Sequence, residues 1–152
     1  MTRVITPDEW RAQPWQNGGG VTHEIWRDAN DYAIRVSCAE VAQSGPFSRF
    51  AGYRRWSFLV GPAPIRLNDA ELVKPGDHVE LPGDVAIEAT VSEPTRLLNV
   101  IARDGTGVGY GLALHPVRFV FALDALAELP RWHALVLEPP ARFERRTVVW
   151  IR

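Results

Sequence analysis

The stretch "PWQNGGGVTHEIW", residues 14–26, decides between two kinds of fold. Three glycines, Gly18, Gly19 and Gly20, stand between Trp15-Gln16-Asn17 and Thr22-His23-Glu24. A helix after them would make the run a phosphate-cradling loop of an α/β protein. A Walker loop needs G-x-x-x-x-G-K-[ST], and a dinucleotide loop needs G-x-G-x-x-G opening a helix. No lysine follows here, and "VTHEIW" carries the β-branched and aromatic residues that favour a strand. The glycines therefore read as a turn entering a strand, where glycine allows unusual backbone angles and close approach.

Outward from that turn the strand pattern continues. In "YAIRVSCAEV" (32–41), Tyr32, Ile34, Val36 and Cys38 share one face, and Arg35 and Ser37 the other. "RWSFLVG", "TRLLNVIAR", "VRFVFAL", "WHALVLE" and "TVVWIR" read as further short strands. "IRLNDAELV" places Asn68-Asp69 as a tight turn between two strands. "HVELPGDVAIEATVS" breaks at Pro82-Gly83, after which Val85, Ile87, Ala89 and Val91 share a face. Two short helices are predicted. One is at "TPDEW", where Thr6, Pro7 and Glu9 form a helix start; the other is at "LDALAELPRW", stopped by Pro130. The glycine-rich "GTGVGYG" (105–111) reads as a hairpin loop. Short strands spaced by about 8–12 residues indicate a sandwich or barrel. A parallel sheet needs helical crossovers for which there is no room.

Composition narrows the function. A chain of 152 residues suits one domain. A net charge of −1 gives no basic excess for nucleic acid, and "RFERRTVVWIR" reads as a solvated strand face. No run approaches the about 18 apolar residues of a membrane span, and "MTRVITPDEW" lacks the apolar core of a signal peptide. The single cysteine, Cys38, allows no internal disulfide and reads as a small buried hydrophobe. A cytoplasmic protein without membrane or nucleic-acid partners is expected. His23, His78, His115 and His133 form no metal-ligand pair, and His78 with Glu80 supplies two ligands where catalytic zinc takes about three. No metal or other cofactor is expected.

A few polar residues remain. "SGPFSRF" is not a nucleophile elbow, so Ser48 reads as a turn or hydrogen-bonding group. An interior Arg35 requires a carboxylate or a ligand; the alternatives are an outer face or a pair with Glu24. Asn99 stands alone in an apolar run and must be hydrogen-bonded if buried, as a structural bridge or a pocket group.

The blocks "PWQNGGGVTHEIW", "GPFSRFAGYRRW", "LPGDVAIEA" and "LLNVIARDG" together resemble the HutD/Ves family over roughly residues 14–105. His23, Ala51, Arg54 and Leu97 depart from its usual pattern. The resemblance implies an all-β cupin, a jelly-roll described in that family as a bicupin. The chain would be one compact unit over 1–152, with a first barrel at roughly 14–105 and a reduced second part at roughly 106–152. The resemblance also implies a metal-free, non-catalytic protein. It would bind a small carboxylate metabolite of histidine or amino-acid catabolism in a regulatory role. The ligand site would be drawn from Trp15, Asn17, Gly18, Gly19, Gly20, Thr22, Glu24, Arg35, Ser37, Phe47, Ser48 and Asn99. Arginine's fork matches a carboxylate, and successive glycine N–H groups can cradle an anion. No catalytic residue is assigned. One alternative is a metal-independent isomerase or hydrolase with Glu24 or a histidine as general base. Another is a stress-response or interaction protein with a vestigial pocket. Cupins often form homodimers, although no stretch here marks an interface.

Overall fold

The computed structural model describes residues 2–152. They fall into two compact units, one of residues 11–104 and one of residues 2–10 with 105–152. Among the described residues there are fifteen strands. They are β1 (Thr2–Ile5), β2 (Arg11–Pro14), β3 (Gly20–Arg27), β4 (Ile34–Val41), β5 (Gly45–Pro46), β6 (Arg54–Leu59), β7 (Ile65–Leu67) and β8 (Ala70–Leu72). They continue as β9 (His78–Pro82), β10 (Glu88–Thr90), β11 (Thr95–Ala102), β12 (Val108–Tyr110), β13 (Val117–Ala122), β14 (Ala134–Ala141) and β15 (Val148–Ile151).

The 11–104 unit is a cupin barrel. A six-stranded sheet, in the order β2-β3-β4-β11-β6-β9, and a four-stranded sheet, β5-β10-β7-β8, make its walls, with antiparallel pairing throughout. The glycine run is the turn from β2 into β3. The β7–β8 hairpin turns at Asn68-Asp69, and Asn68 takes the left-handed conformation (φ 53°) that asparagine tolerates. The long strands β4 and β11 are buried on both faces. Ala39, Val41, Leu59, Leu97, Ile65, Leu67, Leu72, Ile87 and Ala89 form one packed core between the sheets, with Val85 and Val91 against it. The alternation read in residues 85–91 thus faces this core.

The other unit is a single five-stranded sheet, β1-β14-β13-β15-β12. Its core joins Val117, Val120, Ala122, Leu137 and Val148 to loop residues Ala113, Leu126, Leu129 and Phe143. Two expectations are corrected here. "LDALAELPRW" forms no helix; Leu126 N–H donates to Leu129 C=O (2.9 Å) and Trp132 N–H to Ala122 C=O (2.7 Å) in an irregular connection. Isolated helices shorter than about 12–15 residues are marginal, and burying Leu129 between two antiparallel strands outweighs the local preference. "GTGVGYG" is more than a loop, because Val108–Tyr110 pairs with β15. The other predicted helix is a single 3-10 turn, Pro7–Glu9, with the Glu9 carboxylate accepting from Thr6 N–H at 2.8 Å.

Candidate functional site

Cross-strand register assembles the site. On β4 the inward residues are Arg35, Ser37, Ala39 and Val41. On β6 Arg55, Ser57 and Leu59 keep the same parity, so Arg35-x-Ser37 is repeated as Arg55-x-Ser57. Strand β11 lies between these two. Ser37 and Ser57 both pair with Asn99, and Arg35 and Arg55 both pair with Ile101. A serine–asparagine–serine row and an arginine–isoleucine–arginine row therefore cross the sheet side by side. Ser57 donates its hydroxyl to Asn99 Oδ1 at 2.6 Å, leaving the Asn99 amide NH2 as a donor for the cavity.

Arg35, Ser37, Arg55, Asn99 and Ile101 of these rows floor a cavity of about 540 Å³. Trp15, Asn17, Thr22, Arg35, Ser37, Phe47, Ser48 and Asn99 line it, eight of the residues selected from the sequence. Arg55, Phe50, Gln13, Gln16 and Ile101 line it too and were not selected. Trp15 and Phe47 meet edge to face, with ring centroids 5.7 Å apart, and Trp15 Nε1 donates to Thr22 Oγ1 at 2.8 Å.

Four selected residues do not line this cavity. The glycines are a correction to the anion-cradle reading. Gly18 N–H donates to Trp15 C=O (3.1 Å) and Gly19 N–H to Asn17 Oδ1 (2.9 Å), so these two donors are consumed within the turn. Gly19 C=O accepts from Ala42 and Gln43 N–H. Gly20 is required sterically, since a side chain there would collide with the Glu40 carbonyl and the Trp15 ring. Gly18 has φ 74°, where glycine carries little strain.

Glu24 is the fourth. It faces an adjoining outer cavity of about 340 Å³, lined by Arg11, Ala12, Gln13, Thr22, Arg27 and Arg35 as well. A bulge in β3 between Glu24 and Trp26 puts Glu24 and Arg27 on one face, against the plain period of two. Arg11 and Arg27 donate to the Glu24 carboxylate, and Arg35 Nε does so at 2.8 Å. Burial would raise the Glu24 pKa, but the hydrogen bonds from Arg27, Arg35 and Arg11 outweigh it and hold the pKa at about 2. Both readings of Arg35 apply together: it pairs with Glu24 and it lines the cavity. Its two terminal nitrogens take no partner among the described residues.

Arg55 is the unusual group. It is 6% exposed. Its guanidinium lies 5.1 Å from the Phe50 ring centroid and 5.5 Å from that of Phe47. Nη1 donates to Ser48 C=O at 3.0 Å, while Nε is buried without a partner. No carboxylate pairs with it among the described residues. Burial first, then the Arg35 charge, pull its pKa down to about 10, so it remains a cation at neutral pH.

The histidines lie elsewhere. His23 projects from the opposite face of β3, with Nε2 2.7 Å from Glu40 Oε2, and Glu40 also pairs with Arg96 at 2.5 Å. His78 stacks on Phe58. Among the described residues no three His, Cys, Asp or Glu side chains are grouped to hold a metal ion. Cys38 is fully buried, and burial pushes its pKa up to about 12. Among the described residues no helix is long and apolar enough to cross a membrane.

The sequence model of the HutD family matches residues 7–127. The chain belongs to the HutD family. Among solved structures it is similar to HutD from Pseudomonas fluorescens SBW25, with a TM-score of 0.80 and 23% identity over 99% of this chain and 98% of that one. It is also similar to a conserved protein of unknown function from Pseudomonas aeruginosa PAO1, with a TM-score of 0.75 and 24% identity over 99% and 90% of the two chains. At these identities the likeness is one of fold. An uncharacterised 21.2 kDa protein in the hutC 3' region of Pseudomonas putida is 40% identical over 57 residues, 35% of this chain. The match spans 30% of that curated relative's length.

Proposed function

We propose that this HutD-family cupin is a non-catalytic binding protein for a small carboxylate-bearing metabolite of histidine or amino-acid catabolism, acting in a regulatory role. The observation that carries the reading is Arg55. An unpaired buried charge is very unfavourable in a protein interior. This one sits on a cavity whose lining contains no carboxylate and a second arginine, Arg35. A ligand carboxylate supplies the missing partner through a two-pronged guanidinium pair. Asn99, Ser37 and Ser48 offer neutral hydrogen bonds, and Trp15, Phe47 and Phe50 give apolar walls. That combination is the usual composition of a small-molecule pocket. The pathway rests on family membership and on the place of the Pseudomonas putida relative beside hutC.

The enzymatic alternative fares less well. A general base works best with a pKa near the operating pH. Glu24 is held at about 2 and faces the outer cavity. The inner cavity is lined by no histidine, aspartate, glutamate, lysine, cysteine or tyrosine. The test is thermal denaturation with urocanate, formiminoglutamate, formylglutamate and glutamate at millimolar concentration. At least one is expected to raise the midpoint of the wild-type protein and to lose that effect in Arg55→Met. Stabilisation by none of them would sink the proposal, and conversion of any into product would overturn its non-catalytic half.

A further inference from the structure

Asparagine chemistry singles out the turn that enters β3. The chain has four asparagines, Asn17, Asn30, Asn68 and Asn99, and only Asn17 is followed by glycine. A side-chain amide can be attacked by the backbone nitrogen of the next residue, and a bulky successor obstructs that approach. Gly18 offers no obstruction: it is exposed, and a side chain built on it would meet nothing within 4 Å. Its φ of 74° favours glycine, so the turn conformation itself selects the unhindered neighbour.

The contacts of Asn17 favour the same reaction. Its Oδ1 accepts from Gly19 N–H at 2.9 Å. Negative charge develops on that oxygen as its carbon becomes tetrahedral, and a fixed backbone N–H there lowers the barrier. Asn17 Nδ2, the leaving nitrogen, donates no hydrogen bond among the described residues. One contact opposes attack: Gly18 N–H donates to Trp15 C=O (3.1 Å) and so occupies the attacking nitrogen. That bond closes an exposed turn beside β2, an exposed edge strand of 4 residues, so its opening is local. The other asparagines are restrained or hindered. Asn68 Nδ2 donates to Ala86 C=O (3.0 Å), and its Oδ1 accepts from Glu88 N–H (2.8 Å). Asn99 is buried in β11, with Oδ1 accepting from Ser57. Asn30 is exposed, but Asp31 after it carries the side chain that Gly18 lacks.

We infer that Asn17 is a self-modification site whose product switches the charge of the inner cavity. Gly18 N bonds to Asn17 Cγ, the Cγ–Nδ2 bond breaks, and ammonia leaves with the proton given up by Gly18. Water then opens the cyclic imide to an aspartyl or an isoaspartyl residue at position 17. Asn17 lines a cavity that holds two arginines and no carboxylate. A carboxylate on this wall supplies from within the negative charge that the buried Arg55 lacks. The consequence for ligands rests on the proposed function: the new anion repels an acid entering the same cavity. The modification itself is independent of that reading.

Tryptic peptide mapping of the aged full chain tests the reaction. During incubation in mildly alkaline buffer, the peptide of residues 12–27 is expected to gain the mass of amide-to-acid conversion. Its rate is expected to be at least tenfold that of any peptide carrying Asn30, Asn68 or Asn99. Asn17→Gln is expected to abolish the conversion. Conversion no faster than at Asn30, or an amide labile only after denaturation, would overturn the site. Asn17→Asp carries one product and reads the charge switch. Without ligand, its thermal midpoint at neutral pH is expected to exceed that of the wild type, and the gain to vanish in the Arg55→Met background. The midpoint rise given by glutamate or formylglutamate is expected to shrink severalfold. A midpoint no higher than the wild type's, a gain that persists without Arg55, or an undiminished effect of the acids would overturn the switch. If neither acid stabilises the wild type, the proposed function loses its support, while peptide mapping and the ligand-free midpoints still decide this inference.

Discussion

The two ends of the 11–104 barrel are built from the same strands and are filled in opposite ways. On β4, β11 and β6 the inward residues at one end are Ala39, Val41, Leu97 and Leu59, packed against Ile65, Leu67 and Leu72 of the facing sheet. At the other end the same strands present Arg35, Ser37, Asn99, Ser57 and Arg55. The first end is close-packed and the second holds an open cavity. A fold can afford such a polar half only when the packed half is sufficient by itself. One end of the barrel is thus an apolar packed core and the other the polar lining of a cavity.

This contrast can be broken from either side. Leu59→Ala removes a fully buried side chain from the packed end. It is expected to lower unfolding free energy by about 2–5 kcal/mol, the range for such truncations, with acid binding by the folded protein unchanged. Chemical denaturation combined with calorimetry reads both. At the mouth, Glu24 carries pH dependence. Its folded pKa of about 2 lies below the unfolded value near 4.5, so its contribution is present above pH 4.5 and is lost as pH falls towards 2. The amount is about 3 kcal/mol at most. Glu24→Gln is expected to lower stability at pH 7 by a comparable amount and to lose less on acidification. Thermal midpoints at pH 7 and pH 3 compare the two proteins.

Arg55→Met inverts the usual sign. Replacing an unpaired buried cation by an apolar side chain of similar length is expected to stabilise the free protein by about 1–3 kcal/mol while removing acid binding. A destabilised variant would show that Ser48 C=O and the Phe47 and Phe50 rings already compensate the buried charge, and would remove the main support for the pocket. The smallest effect is Ser57→Ala, which takes the hydroxyl from Asn99 Oδ1. It is expected to lower stability by about 1–2 kcal/mol and to weaken acid binding severalfold through a looser Asn99.

Much of the packed end was legible along the chain. Alternation marked β4, an apolar run marked β11, Asn68-Asp69 marked the β7–β8 turn, and Val85 to Val91 marked a core face. These signals are local. The polar end was legible in part: Arg35, Ser37 and Asn99 stood out on their own strands. Arg55 did not, because "YRRW" reads as a charged surface until β6 is set beside β11. Its signal was the repeat of Arg35-x-Ser37 as Arg55-x-Ser57. Arg11 and Arg27 were hidden for a different reason. Arg11 lies on an exposed strand, and the β3 bulge breaks the parity that would have linked Glu24 to Arg27. The glycine triplet misled in one respect: the donors of Gly18 and Gly19 are spent within the turn, Gly18 serves its backbone angle and Gly20 is needed sterically. The missing helix at 123–132 reflects tertiary packing of Leu129 over local propensity.

Strand β1 has a consequence for synthesis. It pairs along its whole length with β14, residue Thr2 opposite Leu137 and Ile5 opposite Ala134. The ribosome therefore makes this strand more than a hundred residues before its partner. Once residue 104 has been made, the 11–104 barrel has every strand of its two sheets to hand, while residues 2–5 still lack the strand they pair with. The order of translation and the order of sheet completion run in opposite directions at this one edge.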